Sequence, residues 1–144
     1  EALKNRDIEQ FVDYTRVRAE YSYNHTRFDF LLTDEKDNCL LEVKSCTSVN
    51  DGVARFPDAV TERGRRQVEE LMKAIKEGYR ACVLFIIQRP DAHLFAPNDE
   101  TDSDFGDALR KAVEEGVEIY AYCSEFTGDK IILKDEIEVQ LTDS

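Results

Sequence analysis

The chain has 144 residues, 42% hydrophobic and 35% charged, and its 31 acids against 19 bases give a formal net charge of -12. That is enough chain for one domain with a single sizeable core, and it holds no apolar run long enough to form a membrane-spanning helix and no charged-then-apolar leader, so a soluble, cytoplasmic globular protein is expected. The acid excess repels polyanions at long range and excludes a whole-surface nucleic-acid binder, so any contact with DNA must be local.

In chain order, the alternation Val17, Ala19, Tyr21, Tyr23 predicts a first strand. Arg27 to Thr33 and Cys39 to Cys46 predict a second and a third, together a β-meander. The stretch "SVNDGVARFPDA" reads as a turn and crossing segment, with Asp58 after Pro57 as N-cap of the next helix. From Val60 to Glu77 the apolar residues Val60, Val68, Leu71, Met72 and Ile75 fall on one stripe, and Gly78 sits where a C-terminal glycine belongs. Ala81 to Ile87 is almost wholly apolar, which predicts a strand covered on both faces.

A second helix is expected from Asp104 to Glu115, with Phe105, Ala108, Leu109, Ala112 and Val113 inward and Gly116 at its end. The acidic "NDETDSD" before it lacks the glycine and terminal glutamate of a calcium loop and reads as a solvated loop capping that helix. "VEIYAY" predicts another buried strand and "KIILKDEIEVQL" a closing hairpin. Four cysteines, at 39, 46, 82 and 123, form no CxxC pair and read as buried reduced thiols. Without repeats or linkers, residues 1–144 make one domain, an α/β sandwich with a mixed central β-sheet flanked by helices.

The second and third strands can be paired on paper. A four-residue loop from Asp34 to Asp37 sets Thr33 opposite Asn38 and Asp29 opposite Glu42. One face then carries Phe28, Phe30, Leu32, Cys39, Leu41 and Val43; the other carries Arg27, Asp29, Glu42 and Lys44. Two directly opposed carboxylates repel unless something positive lies between them, and a divalent cation fits, since Mg²⁺ takes one or two carboxylates and keeps water or phosphate oxygens. Lys44 on the same face suits orientation of water or stabilisation of a phosphorane-like charge. The alternative is an ordinary solvated face with cross-strand ion pairs, and both readings stand at this level.

"TRFDFLL", "LEVKSCT", "FPDAVTERG", the "LM…EGYRACVLFIIQR" run and "GVEIYAY", in this order and spacing, closely resemble the sugar fermentation stimulation protein A family. The resemblance implies a restriction-endonuclease-like PD-(D/E)XK domain, usually preceded by an OB-like barrel that this chain is expected to lack. It also implies a non-specific DNA-binding regulator of sugar, including maltose, utilisation. It places the nuclease-like acids and lysine at Asp29, Glu42 and Lys44, and the family-specific motif at Asp58, Thr61, Glu62 and Arg63; the strand register is what makes Asp29 and Glu42 the expected ligands of Mg²⁺ or Mn²⁺. Gln67 stands where the family often has His, a departure that argues against an acid/base histidine there.

Arg63, Arg65 and Arg66 crowd the first turns of the first helix, where the dipole opposes cations unless an anion approaches; a phosphate and a neighbouring carboxylate both answer that need. With Lys44 and Arg55 they form the candidate DNA-contacting patch. His25 is a weaker candidate flanking the second strand. Three functions follow: DNA binding without cutting, Mg²⁺-dependent phosphodiester hydrolysis by Asp29, Glu42 and Lys44, and an interaction module with a vestigial site.

Overall fold

The computed structural model describes residue 11, residues 14–24 and residues 26–142. His25 lies outside the described residues. The meander is present as β1 (Arg16–Tyr23), β2 (Thr26–Thr33) and β3 (Asn38–Cys46). A short hairpin, β4 (Val49–Asn50) and β5 (Val53–Phe56), follows, then α1 (Glu62–Lys76), β6 (Arg80–Ile87), β7 (Leu94–Pro97), α2 (Ser103–Glu114), β8 (Glu118–Thr127) and β9 (Lys130–Val139). The strands lie in the order β1-β2-β3-β6-β8-β9-β7-β5-β4. β3, β6 and β8 run parallel at the centre, with antiparallel pairs β1/β2, β2/β3 and β8/β9 beside them, so the sheet is mixed as expected.

Each parallel step at the centre is a crossover through a helix, which is why the central strands read as continuous apolar runs. Val68, Leu71 and Ala74 of α1 and Phe105, Leu109 and Ala112 of α2 share one cluster with Phe28, Leu40, Val83 and Phe85 of the sheet. The opposite face carries Leu32, Cys39, Leu41, Cys82 and Leu84 beneath Phe11 and Tyr14. Each fully buried Leu or Phe contributes roughly 1.5–3 kcal/mol relative to exposure. All four cysteines are buried and free, as anticipated. No helix among the described residues is long and apolar enough to cross a membrane.

Several local expectations are corrected. "SVNDGVARFPDA" is not merely a crossing segment, because β4 and β5 form there and β5 pairs with β7, a strand of four residues that carries no periodic signal. The N-cap of α1 is Thr61, whose hydroxyl accepts from Gly64 N–H at 3.0 Å; Asp58 instead accepts from the Thr47 hydroxyl at 3.2 Å. Val60 precedes the helix and is 70% exposed, and Val113 is 42% exposed, so neither belongs to its predicted stripe. The last strand is a single element hairpinned against β8 rather than a hairpin in itself.

The alternation of β1 and β2 also breaks. Ala19 pairs with Phe30 and Tyr21 with Phe28, but no ladder pair joins Glu20 and Asp29, and Glu20 has a positive φ of 55°. Both strands change face there: Val17, Phe30 and Leu32 pack on the side away from the helices, whereas Tyr21 and Phe28 pack on the helix side. The predicted continuous face of Phe28, Phe30 and Leu32 is therefore split at Asp29.

Candidate functional site

The β2/β3 register is the expected one, with Thr33 on Asn38, Leu32 on Cys39, Leu31 on Leu40 and Phe30 on Leu41. The ladder stops there, one pair short of the acids. Beyond it each acidic side chain takes a backbone donor from the opposite strand: Asp29 N–H donates to Glu42 Oε1 at 3.3 Å, and Val43 N–H donates to Asp29 Oδ2 at 2.8 Å. The face change at Asp29 thus exchanges ladder bonds for side-chain bonds and fixes both carboxylates beside one another.

Leu40, Glu42 and Lys44 share a face through the period of two, and Leu40 belongs to the helix-side cluster. The charged face therefore lies under α1. Glu42 is only 5% exposed, and the side chain of Lys44 only 9%. This overturns the picture of an ordinary solvated face. Lys44 Nζ lies 3.3 Å from Glu42 Oε2 and donates to Gln67 Oε1 at 2.7 Å. Gln67, 5% exposed on α1, also donates through Nε2 to the Arg27 carbonyl at 3.4 Å. Burial pushes the Glu42 carboxyl above the usual carboxylate range; Lys44 opposes that rise and Asp29 adds to it.

α1 is held over this face by its first turn. Asp102, 6% exposed, accepts from Thr61 N–H at 2.9 Å and, as N-cap of α2, from Phe105 N–H at 3.0 Å. A single carboxylate thus ties the two helix starts together, each bond satisfying a donor otherwise left orphaned. A side chain at Gly64 would meet Thr61 and Phe105 at 3.0–3.3 Å, so the glycine allows α1 to approach α2 at this point.

Asp29, Glu42, Lys44, Arg63 and Gln67 line one open cleft of about 290 Å³ with Val43, Ser45, Phe56, Thr61 and Gly64. Among the described residues no set of three or more His, Cys, Asp or Glu converges on a point, so Asp29 and Glu42 are the acidic donors at hand. Two carboxylates in a cleft open to solvent fit a hard divalent cation that completes its shell with water or phosphate oxygens.

The predicted arginines separate. Arg63 lines this cleft and an adjoining hollow that it shares with Arg66. Arg65 faces α2 and pairs with Asp104 at 3.6 Å, the intramolecular answer to its position. Arg55 lines a different hollow with Asn50, Asp99 and Glu100, so it does not join a patch with Lys44. Sequence reasoning gave Asp102 no part in the site and noted Gln67 only as a departure from the family's histidine; the structure gives both a part in holding the site together. Asp102 lay within a loop read as capping, whereas Gln67 has no local signal, because both its partners are distant in the chain.

The sugar fermentation stimulation protein RE domain profile matches residues 1–130. A sugar fermentation stimulation protein homolog of Thermoanaerobacter sp. is 48% identical over 141 residues, which is 98% of this chain and 61% of the relative. The homolog of Symbiobacterium thermophilum is 52% identical over 137 residues, covering 91% of this chain and 55% of its own. The chain thus spans about 61% of the length of relatives such as the first. Among solved structures, that of Pyrococcus furiosus SfsA in complex with Ca²⁺ superposes with a TM-score of 0.88 at 28% identity, over 96% of this chain and 61% of the other.

Proposed function

The chain belongs to the sugar fermentation stimulation protein family through its restriction-endonuclease-like domain, and from that premise we propose that it binds DNA through backbone phosphates, without sequence preference, at a divalent-cation site formed by Asp29 and Glu42. The observation that carries this reading is the pair of carboxylates held together beneath α1, with Lys44 beside them and Arg63 on the same cleft. The relative solved with Ca²⁺ supports a divalent cation as the ligand class. Mg²⁺ or Mn²⁺ would be held by the Asp29 and Glu42 carboxylates and would supply positive charge that draws in and polarises a phosphate oxygen. Arg63 contributes a second, cation-independent attraction for the same backbone.

The charged groups on this cleft, Lys44 and Arg63 with a cation on Asp29 and Glu42, suit phosphate oxygens, so affinity rests on charge and falls with salt. Binding isotherms for unrelated duplexes at several salt concentrations, with Mn²⁺ and with chelator, test this in the wild type and in Asp29→Asn. Mn²⁺ is expected to tighten binding in the wild type only. A preference for one sequence that survives high salt, or an equal Mn²⁺ effect in the variant, would contradict it.

A second reading, hydrolysis of the bound phosphodiester, is favoured by one observation: a lysine ammonium buried 3.3 Å from a carboxylate and aimed at the same cleft. Lys44, released from Glu42, has the charge and reach to hold a water or a phosphate oxygen. Supercoiled plasmid incubated with Mn²⁺ or chelator separates the two readings. Nicking by the wild type that is lost in both Glu42→Gln and Lys44→Ala identifies a nuclease. Intact plasmid under every metal leaves binding as the function.

A further inference from the structure

The hollow adjoining the cation cleft has its own chemistry. It measures about 290 Å³ and is lined by Thr26, Arg27, Arg63, Arg66 and Gln67, three arginines and no acid. In a chain of net charge -12 this is an exception. Among the described residues the ion pairs engage Lys44, Arg65, Lys73, Arg80, Arg89, Arg110 and Lys134, and none engages Arg27, Arg63 or Arg66.

Local structure does not explain the cluster. Arg63 and Arg66 stand three apart on α1, so they are neighbours of like charge near the end of the helix that disfavours cations, and Arg27 approaches from β2. All three are exposed. Gathering three guanidiniums without an ion-pair partner, while acids lie elsewhere on the surface, opposes folding slightly, and a bound anion is what reverses the sign.

We infer that Arg27, Arg63 and Arg66 form a phosphate subsite that holds the backbone phosphate next to the one drawn into the cation cleft. Guanidinium forks match phosphate oxygens, and arginines from two elements can close on one tetrahedral anion from different sides. Gln67 is the positioning residue between the two sites. Its Oε1 takes the Lys44 ammonium of the cation cleft at 2.7 Å while its Nε2 holds the Arg27 carbonyl of the phosphate subsite at 3.4 Å. Arg63 lines both sites. A ligand that fills both carries consecutive phosphates, so the arrangement selects an oligonucleotide over a mononucleotide. This selection rests on the cation-cleft reading; the anion subsite alone does not.

The experiment is oligonucleotide binding by fluorescence anisotropy across a salt series in chelator, with wild type, Arg27→Gln, Arg66→Gln and the double variant, beside Mn²⁺ titration of the same proteins. The substituted side chains are exposed, and unchanged thermal melting confirms the fold. Each single variant is expected to weaken binding several-fold in chelator. The double variant flattens the slope of log K against log salt by up to roughly 0.9, the value for the one duplex phosphate no longer neutralised, and leaves Mn²⁺ binding intact. Equal affinity and slope in wild type and double variant, or no wild-type binding in chelator, overturns the inference. If the slope flattens but the wild type takes no Mn²⁺, the phosphate subsite stands and the cation reading alone falls.

Discussion

Two parts of the molecule depart from the rule that charge faces water and apolar surface faces inward, and they do so in opposite directions. Beneath α1, Glu42 is 5% exposed and the Lys44 side chain 9%. At the outer end of the β8/β9 ribbon, Phe126 is 58% exposed, Ile131 52% and Ile132 41%. Strand pairing is not the cause, since Glu42 and Lys44 are in unbroken register with β6, as Phe126 on β8 is with Ile131 on β9. Coverage is the cause: α1 crosses the face of β3 that bears the charges, whereas no described helix covers the ribbon end. Phe126 and Ile131 are cross-strand partners and shield each other, a pair worth roughly 0.2–1 kcal/mol. The buried charges carry a desolvation cost that no such local pairing fully offsets. An arrangement that opposes folding and is nonetheless present points to chemistry; exposed apolar residues on a ribbon oppose solubility more than folding.

The largest effect that should separate the regions is the truncation of one phenylalanine in each. Phe28 is fully buried in the helix-side cluster where β2 changes face. Phe28→Ala is expected to destabilise the fold by about 3–5 kcal/mol through lost burial and the cavity left behind. Chemical denaturation of the variant reads this directly, and a loss below about 1 kcal/mol would mean that the core collapses around the site far more freely than its packing indicates.

Next in size is Lys44→Ala. It removes the cation from a buried pair and leaves Glu42 beside Asp29 with the Gln67 carbonyl also unpaired. Breaking a buried pair typically costs about 3–5 kcal/mol, and here roughly 3 is expected at neutral pH, because Glu42 can escape by taking a proton. Replacing both members, as in Glu42→Leu with Lys44→Met, should recover most or all of that stability while abolishing Mn²⁺ binding. Those two outcomes together separate the needs of the fold from the needs of the site.

How far these regions could be read from sequence differs for the same reason. The β2/β3 register was legible because apolar residues and a four-residue loop specify it locally, and it placed Asp29 and Glu42 together. That the face they occupy is buried was not legible, since it depends on where α1 lands, and α1 is anchored by Thr61 and Asp102, forty-one positions apart. Phe28 was assigned to the wrong face because period-two reasoning assumes unbroken pleating, and β1 and β2 both change face where the Glu20/Asp29 pair is missing from their ladder. β5 and β7 escaped notice because strands of four residues carry too few positions for periodicity. Gln67 is the clearest case: its role consists of two hydrogen bonds, to positions 23 and 40 residues away.

A pH series tests the cost ascribed to burial. The ordinary value for Glu42 is 4.5 and the folded protein holds it higher, chiefly through burial. The folded state therefore binds the proton more tightly than the unfolded state does. Below the ordinary value both states are protonated and there is no penalty; as pH rises through the folded value the penalty grows to its full size. In chelator, the melting temperature of Glu42→Gln relative to wild type should accordingly rise as pH goes from about 4 toward 8. A flat difference would show that Lys44 compensates Glu42 completely.

The smallest expected effect comes from the ribbon. Phe126→Ala removes a ring that is 58% exposed, so little of its surface returns to water on truncation. The cross-strand packing on Ile131 disappears with it, and together these are expected to amount to about 0.5 kcal/mol. Against the loss at Phe28, the ratio measures coverage rather than residue type, since the same side chain is deleted from a paired strand in both cases. Denaturation curves for the two variants under one condition give that ratio. A loss at Phe126 approaching that at Phe28 would require a covering surface over the ribbon in solution. In that event the midpoint should also shift with protein concentration if the cover is a second copy of the chain, because association stabilises by mass action.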